Sequence, residues 1–318
     1  MMTISDNVLA VEANGLVKNF GSFRAVDGVD LKIKSGTICG VLGPNGAGKT
    51  TTINMLATLS SLNGGIAKIF GYDIQKEAMK VRQLIGLTGQ FASIDESLSA
   101  QENLRIFARL HGLSHSDAKQ KTTELLEEFG LTAAATKSLA NFSGGMRRRL
   151  DLASSLISNP PLIFLDEPTT GLDPRTRTQM WGTIRRLVDN GSTVLLTTQY
   201  LDEADQLADQ IVVIDNGKVV ANDTPDGLKK SIGTSSLQVT LKDVNQVRKA
   251  VQIIESQLHT KVQIHEATHL IASMHNTDKL TDILIALKEA DIQLSETSVR
   301  QPSLDEVFFA LTGNEEIK

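Results

Sequence analysis

Short apolar runs, separated by glycine-rich loops, organise the first 233 residues of the chain. Four of these runs contain β-branched residues and are almost continuously apolar; they cover residues 38–42, 162–165, 193–196 and 211–214. Such runs are typical of strands covered on both faces of a parallel sheet, with helices crossing between the strands. The pattern predicts an α/β domain over residues 1–233.

Between about residue 90 and residue 140 the apolar positions follow a helical period instead. Helices are predicted near 100–110 and 117–129, and Leu125, Leu126 and Phe129 in the second have helical spacing. We therefore expect a helical subdomain inserted in the sheet domain.

The pattern changes again after residue 233. Alternation at 237–241, helical stripes at 244–258 and 280–287, and apolar runs at 262–264, 270–274 and 292–299 give the order β-α-β-β-α-β. This is the order of a ferredoxin-like α+β unit, here followed by a short helix over 302–311. We expect a small C-terminal domain over residues 234–318.

Composition and charge indicate a folded protein inside the cell. Hydrophobic residues make up 41% of the chain, and 32 Lys and Arg against 37 Asp and Glu leave a net charge of −5, so we expect no nucleic-acid partner. The single cysteine, Cys39, excludes an internal disulfide and fits a reducing compartment. The N-terminus lacks a signal pattern, and no apolar run approaches the roughly 20 residues of a membrane span. Any membrane role therefore requires a separate partner.

A glycine-rich loop directly follows the apolar run at 38–42. Its sequence matches the phosphate-loop pattern G-x-x-x-x-G-K-[ST], in which backbone amides cradle phosphate oxygens because glycines leave no Cβ in the way. Lys49 would reach the β- and γ-phosphates, and the Thr50 hydroxyl would join Mg²⁺. The alternative is a plain glycine-rich turn. The predicted nucleotide-binding residues are Gly43, Pro44, Asn45, Gly46, Ala47, Gly48, Lys49, Thr50 and Thr51.

Two carboxylates, Asp166 and Glu167, end the apolar run at 162–165. At the carboxyl end of a strand in an α/β sheet, Asp166 can hold the hydration shell of Mg²⁺ and Glu167 can polarise the attacking water. Alone, the pair is better explained as the opening of a turn before Pro168. Together with the phosphate loop, a catalytic pair is favoured.

A second anion site is predicted where Ser143, Gly144 and Gly145 open a helix. One chain with one phosphate loop has no need of a second such site for the same nucleotide. The site makes sense if it serves a nucleotide on another subunit. The alternative is an ordinary helix cap followed by a solvated or nucleic-acid-facing arginine run at 147–149.

These motifs, in this order, resemble the ATP-binding subunits of ABC transporters. The resemblance covers about residues 8–225 and includes FSGGM at 142–146, LDEP at 165–168 and GLD at 171–173. SGGMRRRLDLA at 143–153, TTQYLDEAD at 197–205 and PSLDEVF at 302–308 are similar to the daunorubicin/doxorubicin-resistance type of drug-export ATPase.

The resemblance implies a P-loop NTPase core that hydrolyses ATP with Mg²⁺. It also implies a head-to-tail homodimer with ATP at its interface and a separate integral-membrane permease. The permease would dock around residues 90–112 and hold the subunit at the inner face of the membrane. Export of a hydrophobic drug is the implied process.

Further residues receive roles only from this resemblance. Phe20 would stack on adenine, Gln90 would contact Mg²⁺ or water, and Asp173 would bridge the sites of two subunits. The alternatives are a core phenylalanine, a solvated loop glutamine and a cap for a helix that begins at Pro174.

Gln199 departs from the family pattern, which usually has a histidine there that contacts the γ-phosphate. Glutamine keeps a donor and an acceptor but cannot become cationic. We expect its amide to bond the γ-phosphate or the attacking water; alternatively it points away, and Glu167 with Gln90 suffices. His265 and His269 are four residues apart but lie on predicted strands, which disfavours a metal site.

Two other functions stay open. One is an exporter ATPase for a lipid, polysaccharide or peptide. The other is a soluble ABC ATPase of DNA repair or translation, although the chain lacks the long coiled-coil insertion or second cassette usual in those proteins.

Overall fold

The computed structural model describes residues 8–88, 94–233, 235–265, 267–274 and 278–312. They form two compact units, one up to Pro225 and one from Asp226 onward. The sequence pattern places the boundary after residue 233 instead. The two positions lie at opposite ends of the helix Pro225–Ile232. No helix in the described ranges is both long enough and apolar enough to cross a membrane.

The first unit combines two sheets with helices. Its strands are β1 (Leu9–Phe20), β2 (Phe23–Lys34), β3 (Ile38–Leu42), β4 (Gly64–Ile69), β5 (Tyr72–Asp73), β6 (Ile85–Thr88), β7 (Leu162–Asp166), β8 (Thr193–Thr198), β9 (Gln210–Asp215) and β10 (Lys218–Asp223). Its helices are α1 (Lys49–Leu56), α2 (Ala78–Leu84), α3 (Ala100–Leu110), α4 (His115–Glu128), α5 (Gly144–Ser155), α6 (Pro174–Asp189) and α7 (Leu201–Leu207).

The central sheet has the strand order β10-β9-β3-β8-β7-β6. It is parallel from β9 to β6, and β10 joins its edge antiparallel. All residues of β3, β7 and β8 are buried, as their continuous apolarity predicts. The carboxyl ends of these three strands lie at the same edge, where the sequence places the phosphate loop, the acidic pair and Gln199.

A second sheet, with the order β2-β1-β4-β5, is antiparallel and has no counterpart among the elements expected from sequence. Its signal is period-two alternation: in β2, buried Leu31 and Ile33 alternate with exposed Lys32 and Lys34. Bulges shift the register between β1 and β2 and interrupt this alternation. The buried residues of this sheet share one core with α1 and the central sheet.

The helical region between β6 and β7 contains α3, α4 and α5, which share a core with the other face of the central sheet. Ser99 and Glu102 form a reciprocal capping box at the start of α3. The Asp117 amide donates to Ser114 Oγ over 3.1 Å, so α4 begins two residues before the predicted start.

The second unit contains α8 (Pro225–Ile232), β11 (Ser235–Leu241), α9 (Val247–Leu258), β12 (Val262–His265), β13 (His269–Met274), α10 (Lys279–Glu289), β14 (Leu294–Arg300) and α11 (Leu304–Thr312). The antiparallel order β12-β13-β11-β14, with α9 and α10 on its core, is ferredoxin-like. His265 and His269 face each other across β12 and β13. The part of the chain that the structure describes holds no group of three or more metal-ligating residues.

Candidate functional site

The phosphate loop connects β3 to α1, and two of its glycines have no space for a side chain. A Cβ on Gly43 would lie 2.1 Å from the Ile214 carbonyl oxygen, and one on Gly48 would lie 2.5 Å from that of Ala25. Gly48 also has a φ of 105°, in the left-handed region that favours glycine. The shape of the loop therefore depends on glycine at both positions.

The Lys49 ammonium lies inside the curve of this loop. Its Nζ donates to the carbonyl oxygens of Gly43, over 2.8 Å, and of Pro44, over 3.1 Å. Burial lowers the pKa of Lys49, and the charges of Glu167 and Asp166 oppose that shift. The loop thus presents a buried cation, which suits an anionic ligand.

Asp166 joins β7 to two neighbouring elements. Its Oδ1 accepts hydrogen bonds from Thr50 Oγ1, over 3.2 Å, and from Thr197 Oγ1, over 2.5 Å. A hydroxyl and a carboxylate are hard oxygen ligands of the kind that Mg²⁺ prefers, so this donor set fits the ion. Gln90, the third predicted metal contact, lies outside the described residues.

Glu167 has a φ of 49°, in the left-handed region that is uncommon for residues other than glycine. Its backbone amide donates to the carbonyl oxygen and to Oγ1 of Thr197, both over 3.1 Å. Thr170 Oγ1 donates to its Oε2 over 3.2 Å. These contacts hold the half-buried carboxylate at the wall of a pocket.

That pocket, of about 300 Å³, contains most of the predicted nucleotide site. It is lined by Phe20, Phe23, Ala25, Asn45, Gly46, Gly48, Lys49, Thr50, Thr51 and Glu167. Phe20 is 55% exposed, so the alternative of a core phenylalanine is wrong. The structure therefore brings the phosphate loop, the carboxylate and an exposed aromatic ring together.

Sequence reasoning missed two residues of this site. Phe23 lines the pocket and pairs with Phe20 across the β1–β2 turn. The sequence signal for Phe23 is its position three residues after Phe20, on the other side of Gly21. Thr197, the hydrogen-bond partner of Asp166, lies within a buried apolar strand, where the sequence gives no sign of its role.

Ser143 and Asp173 are the N-caps of α5 and α6, and neither lines the pocket. Ser143 Oγ accepts from the Met146 amide over 3.3 Å, and Asp173 accepts from the amide and hydroxyl of Thr176 over 3.0 and 2.6 Å. A Cβ on Gly145 would lie 2.5 Å from Thr176 Cγ2, so the starts of α5 and α6 are in close contact. Ser143 and Gly144 are exposed.

Gln199 is exposed and directly follows β8, whose last residue, Thr198, pairs with Leu42 before the phosphate loop. The turn after Gln199 is held by α6. Arg177 lies 5.2 Å from the Tyr200 ring centroid and forms an ion pair with Asp202 over 3.1 Å. The side chain of Gln199 does not line the pocket.

Comparisons with known proteins place the chain in the ABC transporter family. The ABC transporter family matches residues 26–170. The chain is 49% identical to the daunorubicin/doxorubicin resistance ATP-binding protein DrrA of Streptomyces peucetius, over 96% of this chain and 93% of that protein. It is 36% identical to the Nod factor export ATP-binding protein I of Ralstonia nicotianae, over 98% of this chain and 95% of that protein.

A solved structure of another ATP-binding cassette, MJ0796, has the same fold. That structure shows a dimeric, post-hydrolysis state bound to ADP and Pi. The TM-score is 0.62 and the identity 26%, and the match covers 67% of this chain and 98% of that one. The first unit of the chain is therefore a P-loop NTPase of the ABC ATPase type.

The Gly48→Ala variant tests the geometry of the phosphate loop. The new methyl group would collide with the Ala25 carbonyl oxygen, so we expect nucleotide affinity to fall at least about tenfold, measured by titration with a fluorescent ATP analogue. Gly71→Ala is the matched control, because Gly71 also has a positive φ but nothing lies within 4 Å of the place where its Cβ would be. Equal affinities in the two variants would contradict the prediction.

Proposed function

The chain belongs to the ATP-binding proteins of ABC transporters, which hydrolyse ATP, and from this membership we propose that it powers export of a hydrophobic drug through a separate membrane permease. The observation that carries the proposal is the pocket that joins Lys49, Glu167 and Phe20. The 49% identity to a daunorubicin/doxorubicin resistance protein, over nearly the whole chain, supports the drug as cargo.

Each residue of the pocket has a role in this proposal. The loop amides and Lys49 bind the phosphates, Phe20 stacks on adenine, and Glu167 polarises the attacking water. Thr50 and Asp166, with Gln90, would hold Mg²⁺, which when bound neutralises charge on the phosphates. The buried position of Lys49 beside two carboxylates supports this division of roles.

We further propose a head-to-tail homodimer with ATP at its interface. The chain has one phosphate loop and one exposed Ser143–Gly144 helix start, and this helix start does not line the pocket of the phosphate loop. In a dimer, the helix start of each subunit, with Asp173, completes the site of the other. The dimeric cassette among the structural relatives supports this arrangement.

ATP binding would close this dimer, and hydrolysis would reopen it, so that the motion does work on the permease. The permease would dock on the helical subdomain and hold the subunit at the inner face of the membrane. On α3, Ile106 is 47% exposed and Leu110 is 76% exposed, which supplies apolar surface for such a contact.

A second candidate is the same ATPase exporting a cargo other than a drug. It is favoured by the 36% identity to a Nod factor export protein. The cargo would contact mainly the permease, so the residues of the ATP pocket serve either transporter.

The Glu167→Gln variant should bind ATP without hydrolysing it, because the phosphate contacts remain while the water is no longer polarised. We expect an ATP-bound homodimer to accumulate, measured by light scattering with Mg-ATP. A variant that stays monomeric at saturating nucleotide would contradict the shared site.

Substitution of Gln199 tests its contact with the γ-phosphate or the attacking water. Gln199→Ala should lower turnover more than ATP affinity, and Gln199→His should retain activity. The histidine, with an ordinary pKa near 6.5, would add a pH dependence on the acid side. Single-turnover hydrolysis at several pH values measures both effects. Unchanged hydrolysis in Gln199→Ala would show that the glutamine points away.

The cargo is tested in cells that express the chain with its permease. Wild-type chain should lower the accumulation of fluorescent daunorubicin, and Glu167→Gln, the matched control, should not, because export needs hydrolysis. Equal drug accumulation in the two strains would exclude the drug and favour the second candidate.

A further inference from the structure

Arg148, one turn into α5, donates to three consecutive backbone carbonyl groups at the end of β7 and in the turn that follows it. Its Nη2 donates to the carbonyl oxygens of Asp166, over 2.7 Å, and Glu167, over 3.2 Å; its Nε donates to that of Pro168, over 3.1 Å. A planar guanidinium has several donors in a fixed fork and can hold these oxygens at once.

The first two of these carbonyl groups belong to the peptide units on either side of the Glu167 Cα. Holding both units restrains φ and ψ of Glu167, and these angles set the direction of its Cα–Cβ bond. The restraint matters here because the φ of 49° lies in a region unfavourable for a residue with a Cβ. Arg148 therefore acts on the position of the carboxylate without touching it.

The surroundings of Arg148 keep its guanidinium in place. Its side chain is 14% exposed, and Nη1 lies 3.5 Å from Oδ2 of Asp151, which is itself buried one turn further along α5. Burial lowers the pKa of Arg148, whereas the charges of Asp151, Asp166, Glu203 and Glu167 oppose that shift. A cation with this many carboxylates around it is held more firmly than a surface arginine.

The neighbouring arginines of the run make different contacts. Arg147 pairs with Glu96 over 2.5 Å, and Arg149 donates to the Phe129 carbonyl oxygen over 2.9 Å. Within the run at 147–149, the contacts with the turn after β7 come from Arg148.

We propose that Arg148 is a positioning residue for ATP hydrolysis, which fixes the turn that carries Glu167. This inference rests on the proposed catalytic role of Glu167. Misplacement of a reacting group by about 1 Å can cost about a hundredfold in rate, so loss of the restraint should be visible in kcat.

The test compares Arg148→Gln with Arg149→Gln, which removes one arginine-to-carbonyl hydrogen bond from the same helix without touching the turn after β7. We expect kcat for ATP to fall at least about tenfold in Arg148→Gln, with ATP affinity within about twofold of wild type. Arg149→Gln should keep kcat within about twofold. Wild-type kcat in Arg148→Gln, or an equal loss in both variants, overturns the inference.

A double variant separates positioning from general packing. If Arg148 acts through Glu167, adding Arg148→Gln to Glu167→Gln should leave the residual single-turnover rate unchanged. A further tenfold loss overturns the inference. Glu167→Gln alone tests the proposed function: if it hydrolyses ATP at the wild-type rate, the catalytic role of Glu167 fails, and this inference fails with it.

Arg148→Lys covers the case in which Arg148→Gln does not fold. Lysine keeps a buried positive charge beside Asp151, but its single nitrogen replaces two donor nitrogens of Arg148, Nη2 and Nε, and lacks their fixed spacing. We expect a folded protein with normal ATP affinity and a kcat at least about tenfold lower. Wild-type kcat in this variant overturns the inference.

Discussion

The buried carboxylate of Asp166 is the group on which the arrangement of the site depends. It is 4% exposed, and transfer of a carboxylate from water is unfavourable unless hydrogen bonds replace the lost hydration. The hydroxyl groups of Thr50 and Thr197 supply such bonds to its Oδ1. Because they come from α1 and β8, the same carboxylate joins the helix after the phosphate loop to two strands of the sheet.

Glu167 depends on the same neighbours. Its amide donates to Thr197, the residue that also bonds Asp166, while its carbonyl oxygen accepts from Arg148. The backbone is thereby held from β8 on one side and from α5 on the other. An unfavourable φ at a non-glycine residue persists where the surrounding contacts determine it in this way. The conformation of the turn that carries Glu167 is thus determined by tertiary contacts rather than by its own sequence.

The difference between local sequence requirements and tertiary contacts explains which parts of the fold and of the site could be predicted from the sequence. The phosphate loop, Asp166–Glu167 and the Ser143 helix start are recognisable because each is a contiguous motif with a local physical requirement, such as glycine where a Cβ would collide. The four buried strands and the ferredoxin-like order follow from unbroken hydrophobic patterns. Bulges in β1 and β2 hid the second sheet. Thr197 and Arg148 act through contacts between distant segments, which no local pattern encodes, whereas Phe23 has a local signal in its pairing with Phe20 across the β1–β2 turn.

The close contact between Gly145 and Thr176 limits which residues can replace either of them during evolution. The starts of α5 and α6 lie too close for a side chain at residue 145, and Asp173 fixes Thr176 through two hydrogen bonds. A larger residue at either position would require a compensating change at the other. Substitutions at these two helix starts should therefore occur in pairs rather than independently. In a dimer of the proposed kind, a substitution at either helix start would therefore also alter the surface that the partner subunit meets at the other.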